Sequence, residues 1–221
     1  MKKLTGAHTV IAIDGPAASG KSSVACELAR RLGYIYVNSG AMYRAMTWLV
    51  LERGIDPADA NTIARLVESA PLRCELGNRD SIMLIDGVDP EPFLRDDRVN
   101  ENVSLVSSVP RVREILVAQL RRYAETNDLV MEGRDIGSVV FPETPFKFYI
   151  DASPEIRLRR REAQGQRDRI SARDEADSSR RASPLIIAED AHVIDSSNLT
   201  IDGVVGEIIG RLKLKGLTIA S

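Results

Sequence analysis

Short apolar runs alternate with amphipathic segments along most of the chain. The first run, residues 9–13, is β-branched and apolar, as expected of a buried strand. Val24, Leu28 and Leu32 then recur at helical spacing, and Gly33 is placed to end that helix. Repeated strand–helix–strand units predict an α/β fold, with a parallel sheet and helices on both of its faces.

Later segments repeat the same two patterns. Strands are predicted at residues 34–37, 129–131, 146–150 and 193–194. Helices are predicted at residues 58–69, 97–108, 111–126 and 201–213, with one more carrying the apolar positions of 42–50 and another starting near residue 154.

Residues 71–98 follow a different pattern. Apolar and charged side chains alternate over residues 72–76, which is the period of a half-buried strand. A second strand candidate, residues 81–85, follows the turn at residues 77–80. The pattern predicts a small antiparallel insert rather than another strand–helix unit.

Composition narrows the class of protein. The chain has 221 residues, 43% hydrophobic and 28% charged, which suits one domain with insertions or two small domains. Its formal net charge of −2 gives no global basic field for nucleic acid or an anionic membrane. No apolar stretch approaches the roughly 20 residues of a membrane span, and no long apolar run opens the chain. We therefore expect a cytoplasmic protein with neither a nucleic-acid nor a membrane partner.

The two cysteines support that expectation. Cys26 and Cys74 are far apart in the sequence, so neither a disulfide framework nor a metal-ligand pair is indicated. Cys26 falls in the first predicted helix, where we expect a small buried thiol.

The chemistry is concentrated in residues 15–22, Gly-Pro-Ala-Ala-Ser-Gly-Lys-Ser, between the first strand and the first helix. This is the phosphate-cradling P-loop motif in its required context. Its amides and the helix N-terminus can face phosphate oxygens, Lys21 can reach the β- and γ-phosphates, and the Ser22 hydroxyl can ligate Mg²⁺. Asp14 precedes the loop and has two open interpretations: it acts through a bound water, or it caps the loop's turn.

Basic residues are mostly arginine, 24 of 30, and nine of them lie between Arg157 and Arg181. The planar guanidinium suits phosphate oxygens, although solvated helix faces also explain a part of this bias. A GTPase Asn-Lys-x-Asp motif and a transporter Leu-Ser-Gly-Gly signature are both missing. A small-molecule kinase needs a second phosphate site and a mobile basic lid, and the chain has candidates for both.

Three sequence blocks carry a family resemblance. Residues 13–22 (IDGPAASGKS), 38–44 (NSGAMYR) and 132–137 (EGRDIG) resemble those of bacterial cytidylate kinases. Residues 141–142, 147–153 and 183–185 are similar too, so the resemblance runs from about residue 9 to 210. It implies a P-loop NTPase-type sheet and transfer of the γ-phosphoryl group of MgATP to CMP or dCMP.

The resemblance also implies roles for individual residues. The expected ATP-binding residues are Gly15, Pro16, Ala17, Ala18, Ser19, Gly20, Lys21, Ser22 and Ser23. The expected CMP-binding residues are Ser39, Arg44 and Arg134 at the phosphate, Ser104, Arg113, Asp135 and Arg180 at the cytosine, Arg173 and Asp177 at the ribose, and Tyr43 nearby. Lys21, Arg134 and the lid arginines Arg160 and Arg161 are the expected catalytic residues.

The predicted organisation has three parts. A core domain comprises residues 1–38, 103–156 and 184–221, the monophosphate-binding region is 39–102, and a short arginine-rich lid is 157–183. A monomer is expected. Two rival functions stay open at this point: a kinase for another monophosphate or small metabolite, such as UMP, AMP or shikimate, and a P-loop binding protein without phosphoryl transfer.

Overall fold

The computed structural model of the protein describes residues 8–77, 80–163 and 185–219. Its strands are β1 (Val10–Asp14), β2 (Ile35–Asn38), β3 (Leu72–Leu76), β4 (Ser81–Ile85), β5 (Leu129–Gly133), β6 (Phe146–Asp151) and β7 (His192–Asp195). Its α-helices are α1 (Lys21–Leu32), α2 (Ser39–Glu52), α3 (Ala60–Ser69), α4 (Asp97–Ser108), α5 (Pro110–Tyr123), α6 (Pro154–Ala163) and α7 (Ile201–Leu214).

Five strands form one parallel sheet in the order β2-β5-β1-β6-β7. The first strand lies in the centre, and the chain leaves it towards α1 before crossing to the edge strand β2. Loops after the carboxyl ends of parallel strands meet at one edge of such a sheet, and ligands bind there. This order places the loop after β1 between the loops after β5 and β6, with the loops after β2 and β7 at the two edges.

Two apolar clusters cover the two faces of the sheet. Side chains alternate along β1, so that Ala12 joins a cluster with α2, α3 and α5, whereas Ile11 and Ile13 pack with α1 and α7. Helices are thus found on both faces, as the sequence predicted. The α/β fold with a parallel sheet is confirmed.

The predicted insert is also confirmed. β3 and β4 pair antiparallel, with Leu72 opposite Ile85 and Leu76 opposite Ser81. An isolated bridge between Tyr36 and Asp80 links this hairpin to the edge strand β2. The two strands form a separate small sheet beside the parallel one.

Most helix boundaries agree with the prediction. Gly33 ends α1 with a left-handed backbone (φ 69°), and the Asn38 side chain caps α2 by accepting from the amide of Ala41 at 2.9 Å. α5 begins at Pro110 and ends at Tyr123, earlier than predicted. A 3₁₀ turn at Glu91–Phe93 and a π-helical segment at Ile136–Val140 were not predicted.

The expectation for Cys26 was wrong. This thiol is exposed, whereas Val24 and Leu28 of the same helix are buried. Cys26 is two residues from each of them, and two residues turn a helix by about 200°. Its position on the outer face therefore follows from helical geometry.

The division into core, monophosphate-binding region and lid stays a prediction, because most of residues 157–183 lie outside the described ranges. Among the helices that are described, none is long and apolar enough to span a membrane.

Candidate active site

A cleft of about 760 Å³ opens at the carboxyl edge of the parallel sheet. Its walls come from the loop between β1 and α1, the starts of α2 and α5, the end of β5, and helices α4 and α6. Among described residues, seven cationic and three acidic side chains line it. The chain's formal net charge is −2, so this positive surplus is local and suits an anionic ligand.

The loop between β1 and α1 has the backbone of a phosphate cradle. Gly20 is left-handed (φ 90°) at the N-terminus of α1, and Ala18 also has a positive φ of 58°. A Cβ on Gly15 would overlap the carbonyl oxygen of Ile150, so this position excludes every side chain. Buried Lys21 folds back over the loop, and its Nζ donates to the carbonyl of Pro16 at 2.9 Å. The loop therefore lies at the N-terminus of α1, where its amides can face phosphate oxygens.

Ser22 and Ser23 follow in the first turn of α1, and both are exposed to the cleft. The buried carboxylate of Glu132 lines the same cleft. Hydroxyl and carboxylate oxygens are the hard ligands that Mg²⁺ prefers. The residues present thus fit a magnesium ion that arrives with a triphosphate.

Ser39 begins the opposite wall. Its hydroxyl is buried and donates to the carbonyl of Glu132 at 2.8 Å. A Cβ on Gly133 would lie 2.5 Å from that hydroxyl and 2.8 Å from the side chain of Ile136. The glycine after Glu132 is required by space, because any larger residue displaces Ser39.

Arg44 lies one turn further along α2. Its Nε donates to Oδ1 of Asn100 at 3.4 Å, and Nδ2 of Asn100 donates to the carbonyl of Arg95 at 3.0 Å. Buried Asn100 thus links a cleft arginine to the segment that precedes α4. Asn100 was not predicted as a site residue, since an amide on a helix has no local signal of a role.

Arg113 and Asp135 form an ion pair in the floor of the cleft, and both side chains are buried. The Arg113 guanidinium also lies over the Tyr43 ring, 5.4 Å from its centroid, in a cation–π contact. Three residues predicted separately for the CMP site are thereby brought into direct contact. Their geometry presents a fixed polar surface to whatever enters the cleft.

Two arginines of α6 reach the cleft, together with Ser196, which was not predicted as a site residue. Nη1 of Arg160 donates to the Ser19 carbonyl and to Oγ of Ser196, both at 3.1 Å, and Nη2 donates to the Ser196 carbonyl at 2.8 Å. The Ser196 hydroxyl itself donates to the Ser19 carbonyl at 2.7 Å. Arg161 is buried and lines the cleft as well. The base of the predicted lid is therefore bonded to the phosphate loop.

The Asp14 carboxylate accepts from two amides outside the phosphate loop. Oδ1 accepts from the amide of Ile136 at 2.8 Å, and Oδ2 accepts from the amide of Gly137 at 2.7 Å. Burial raises the pKa of Asp14 to about 6; these two amides oppose the rise, nearby Asp135 adds to it and Lys21 opposes it. Asp14 therefore joins β1 to the segment that follows β5.

A second carboxylate was also missed. The hydroxyl of Tyr36 donates to Oε1 of Glu132 at 3.0 Å, and both residues line the cleft. Burial and the adjacent Glu132 raise the pKa of Tyr36, which keeps its hydroxyl protonated as a donor. Glu132 lies on the same side of β5 as Val130, which packs against α1.

The predicted site residues divide into three groups. Those that line the cleft are Ala17, Ala18, Gly20, Lys21, Ser22, Ser23, Ser39, Tyr43, Arg44, Arg113, Arg134, Asp135, Arg160 and Arg161. Three residues belong to the phosphate loop without lining the cleft: Gly15, Pro16 and Ser19. Half-buried Ser104 lies on α4 between the cleft residues Asn100 and Ser107. Arg173, Asp177 and Arg180 lie outside the described residues.

A phosphate loop that faces a second cationic wall across one cleft defines a P-loop phosphotransferase. The comparisons with known proteins narrow that class. The family model for cytidylate kinase matches residues 11–214. The cytidylate kinase of Limosilactobacillus reuteri (strain DSM 20016) is 42% identical over 210 residues, covering 90% of this chain and 92% of that protein. The chain belongs to the cytidylate kinase family.

Another relative gives the same result. The cytidylate kinase of Rhodococcus opacus (strain B4) is 44% identical over 212 residues, covering 90% of this chain and 93% of that one. Among solved structures, TT1252 from Thermus thermophilus is 20% identical and matches with a TM-score of 0.48 over 96% of this chain and 100% of that one.

Proposed function

We propose that the protein is a nucleoside monophosphate kinase that transfers the γ-phosphoryl group of ATP to CMP, giving ADP and CDP. The observation that carries this function is the pairing of two anion-binding walls across one cleft. Lys21 and the loop before it form one wall, and Ser39, Arg44 and Arg134 contribute to the other. A protein that only binds a triphosphate has no need of the second wall.

The donor side is assigned to the loop of residues 15–23. Its amides and the N-terminus of α1 would hold the β- and γ-phosphates, with the Lys21 ammonium beside them. Ser22, with Glu132 nearby, would hold the magnesium ion that accompanies ATP. When bound there, the ion would supply neutralisation of the phosphate charge.

The acceptor side is assigned to the opposite wall. Two guanidinium groups, Arg44 and Arg134, and the Ser39 hydroxyl are suitable partners for the CMP phosphate. That phosphate oxygen is already anionic, so the transfer needs no strong general base. Positioning by these residues and charge stabilisation by Lys21, Arg160 and Arg161 would supply the catalysis.

The base is assigned to Arg113 and Asp135, with Ser104 and Arg180 as further contacts. A fixed guanidinium–carboxylate pair offers donors and an acceptor to the edge of a cytosine. Arg173 and Asp177 are assigned to the ribose. We propose that dCMP is also accepted, and that the enzyme acts in the cytoplasm as a monomer; these points stay predictions.

A coupled assay of ADP release tests the function. MgATP is supplied with CMP, dCMP, UMP, AMP, GMP or shikimate in turn, and turnover well above the rest is expected for CMP and dCMP. Preference for a different acceptor would reject the cytosine assignment. Absence of any acceptor-dependent turnover would reject the kinase.

Substitution of Arg44 tests the acceptor wall. Arg44→Ala removes one charge-assisted contact, so KM for CMP is expected to rise about 10- to 100-fold. The matched control is Arg53→Ala at the end of the same helix, where the guanidinium pairs with Asp86 at the surface. Equal KM values for the wild type and Arg44→Ala would place the acceptor phosphate elsewhere.

A further inference from the structure

Asp14 connects the donor loop to the acceptor wall. It is the last residue of β1 and is followed at once by Gly15, the first residue of the phosphate loop. Its two carboxylate oxygens accept from successive amides, those of Ile136 and Gly137. Asp14 is only 6% exposed, so water has little access to these bonds.

The direction of the side chain explains why it meets this segment. Asp14 shares its face of β1 with Ala12, which packs in the cluster that includes Ile136. The phosphate-loop helix α1 packs on the other face, with Ile11 and Ile13. The Asp14 carboxylate is therefore aimed away from α1 and into the start of the π-helical segment at Ile136–Val140.

The segment that Asp14 holds carries two cleft residues. Arg134 and Asp135 come immediately before Ile136, and both line the cleft. Gly133, which precedes them, packs closely against Ser39, since a Cβ added there would lie 2.5 Å from the Ser39 hydroxyl. Movement of the Ile136 and Gly137 amides would thus displace Arg134 and Asp135.

We propose that Asp14 is a positioning residue, which fixes Arg134 and Asp135 relative to the phosphate loop through its bonds to Ile136 and Gly137. The assignment rests on the proposed function for the role of the acceptor wall. Asp14 itself is not among the residues that line the cleft. Its effect is on where the acceptor is held, so it acts on CMP more than on ATP.

The link between Asp14 and the two amides depends on pH, because only an ionised carboxylate accepts fully with both oxygens. The pKa of Asp14 is raised to about 6 by burial and by Asp135, and Lys21 opposes the rise. Lys147 also packs near: its side-chain carbons would lie 3.2 Å from a Cβ on Gly137, although its ammonium pairs with Asp190. The link is therefore strong above pH 6 and weakened below it.

The test compares Asp14→Asn with the wild type. The amide has one acceptor oxygen, and its NH₂ group would face a second N–H donor. We expect KM for CMP to rise about tenfold at pH 7.5 and KM for ATP to stay within about threefold. Asp86→Asn is the matched control, since Asp86 pairs with Arg53 away from the cleft.

The pH profile distinguishes positioning from a general loss of structure. The phosphate of CMP also titrates near pH 6 and affects both enzymes equally. Dividing kcat/KM of the wild type by kcat/KM of Asp14→Asn at each pH therefore removes the contribution of the substrate. The ratio is expected to rise from near one at pH 5 to about ten above pH 7. A ratio that does not change with pH, or equal losses for CMP and ATP, would overturn the proposal.

A measurement on the wild type covers the case in which Asp14→Asn does not fold. The amide signals of Ile136 and Gly137, followed by ¹⁵N NMR, should shift together with an apparent pKa near 6. Signals that do not titrate would reject the link. If wild type phosphorylates another acceptor instead of CMP, the proposed substrate is wrong, and the same KM comparison is made with that acceptor. If no acceptor is used, both proposals fail.

Discussion

The guanidinium of Arg113 and the carboxylate of Asp135 pair across the floor of the cleft with only 6% and 5% of their side chains exposed. The pair joins helix α5 to the segment after β5. Neither charge has water to solvate it, so each depends on its partner. The pair is consequently a part of both the fold and the candidate CMP site.

Removal of one partner should therefore lower the free energy of unfolding. Arg113→Met leaves the Asp135 carboxyl group buried without its partner, and the free energy of unfolding is expected to fall by about 3–5 kcal/mol. Urea denaturation followed by circular dichroism measures the change.

Arg111→Met is the control for this prediction. It lies two residues earlier on α5 and pairs with Glu68 and Glu114 at the surface, where ion pairs contribute little. No measurable loss is expected there. If Arg113→Met were as stable as Arg111→Met, the Asp135 carboxylate would not depend on its partner as argued.

Gly133 gives a second prediction, because the space beside it is occupied. In Gly133→Ala the new Cβ must displace both the Ser39 hydroxyl and the Ile136 side chain. Overpacking of this kind lowers the free energy of unfolding by about 1–3 kcal/mol. Displacement of Ser39 should also raise KM for CMP about tenfold, with little effect on KM for ATP.

The matched substitution is Gly206→Ala in helix α7. A Cβ there meets no atom within 4 Å among the described residues, and alanine favours a helix over glycine. Stability is expected to rise by about 0.5–1 kcal/mol, with kinetics unchanged. A Gly133→Ala enzyme that resembled Gly206→Ala would contradict the proposed role of Ser39.

The strands and the hairpin could be predicted because their signals are local. The apolar run before Gly15 and the alternation over residues 72–76 each specify one element without reference to the rest of the chain. The three sequence blocks that resemble cytidylate kinases also come together in the structure, around one cleft. Local pattern thus predicted the fold class, and 14 of the site residues that the motifs and the resemblance indicated line the cleft.

The features that could not be predicted depend on contacts between segments that are distant in the sequence. Nothing local distinguishes the π-helical segment at Ile136–Val140, and the partner of its first amide, Asp14, lies 122 residues away from Ile136. Asn100 and Tyr36 have roles only because of the partners that the fold supplies, Arg44 and Glu132. A single sequence contains these partners without showing that they meet.

The raised pKa of Asp14 predicts how stability changes with pH. Its ordinary value near 3.8 becomes about 6 in the folded protein, so the folded state binds the proton more tightly than the unfolded state does. Ionisation of Asp14 therefore costs stability: the cost is absent below about pH 4, grows as pH rises to 6, and is constant above that. Its full size is about 3 kcal/mol.

Denaturation of the wild type and Asp14→Asn between pH 4.5 and 7.5 isolates this effect, because all other titrations are shared. The wild-type free energy of unfolding minus that of the variant should fall as pH rises, with its steepest change below pH 6. A difference that stays flat or increases with pH would show that the Asp14 carboxyl is not titrating in this range.

The two thiols should react at different rates. Cys26 is exposed on the outer face of α1, whereas Cys74 is half-buried in β3, and burial raises the pKa of the Cys74 thiol. Both features slow the attack of Cys74 on a disulfide reagent, since the accessible thiolate is the nucleophile. With Ellman's reagent at pH 8 we expect one fast and one slow equivalent, separated by at least about tenfold in rate.

Two variants assign the phases to the two thiols. Cys26→Ser should remove the fast phase, and Cys74→Ser should remove the slow one. A fast phase that survives in Cys26→Ser would mean that Cys74 is the accessible thiol, and would contradict the outward position of Cys26 on α1.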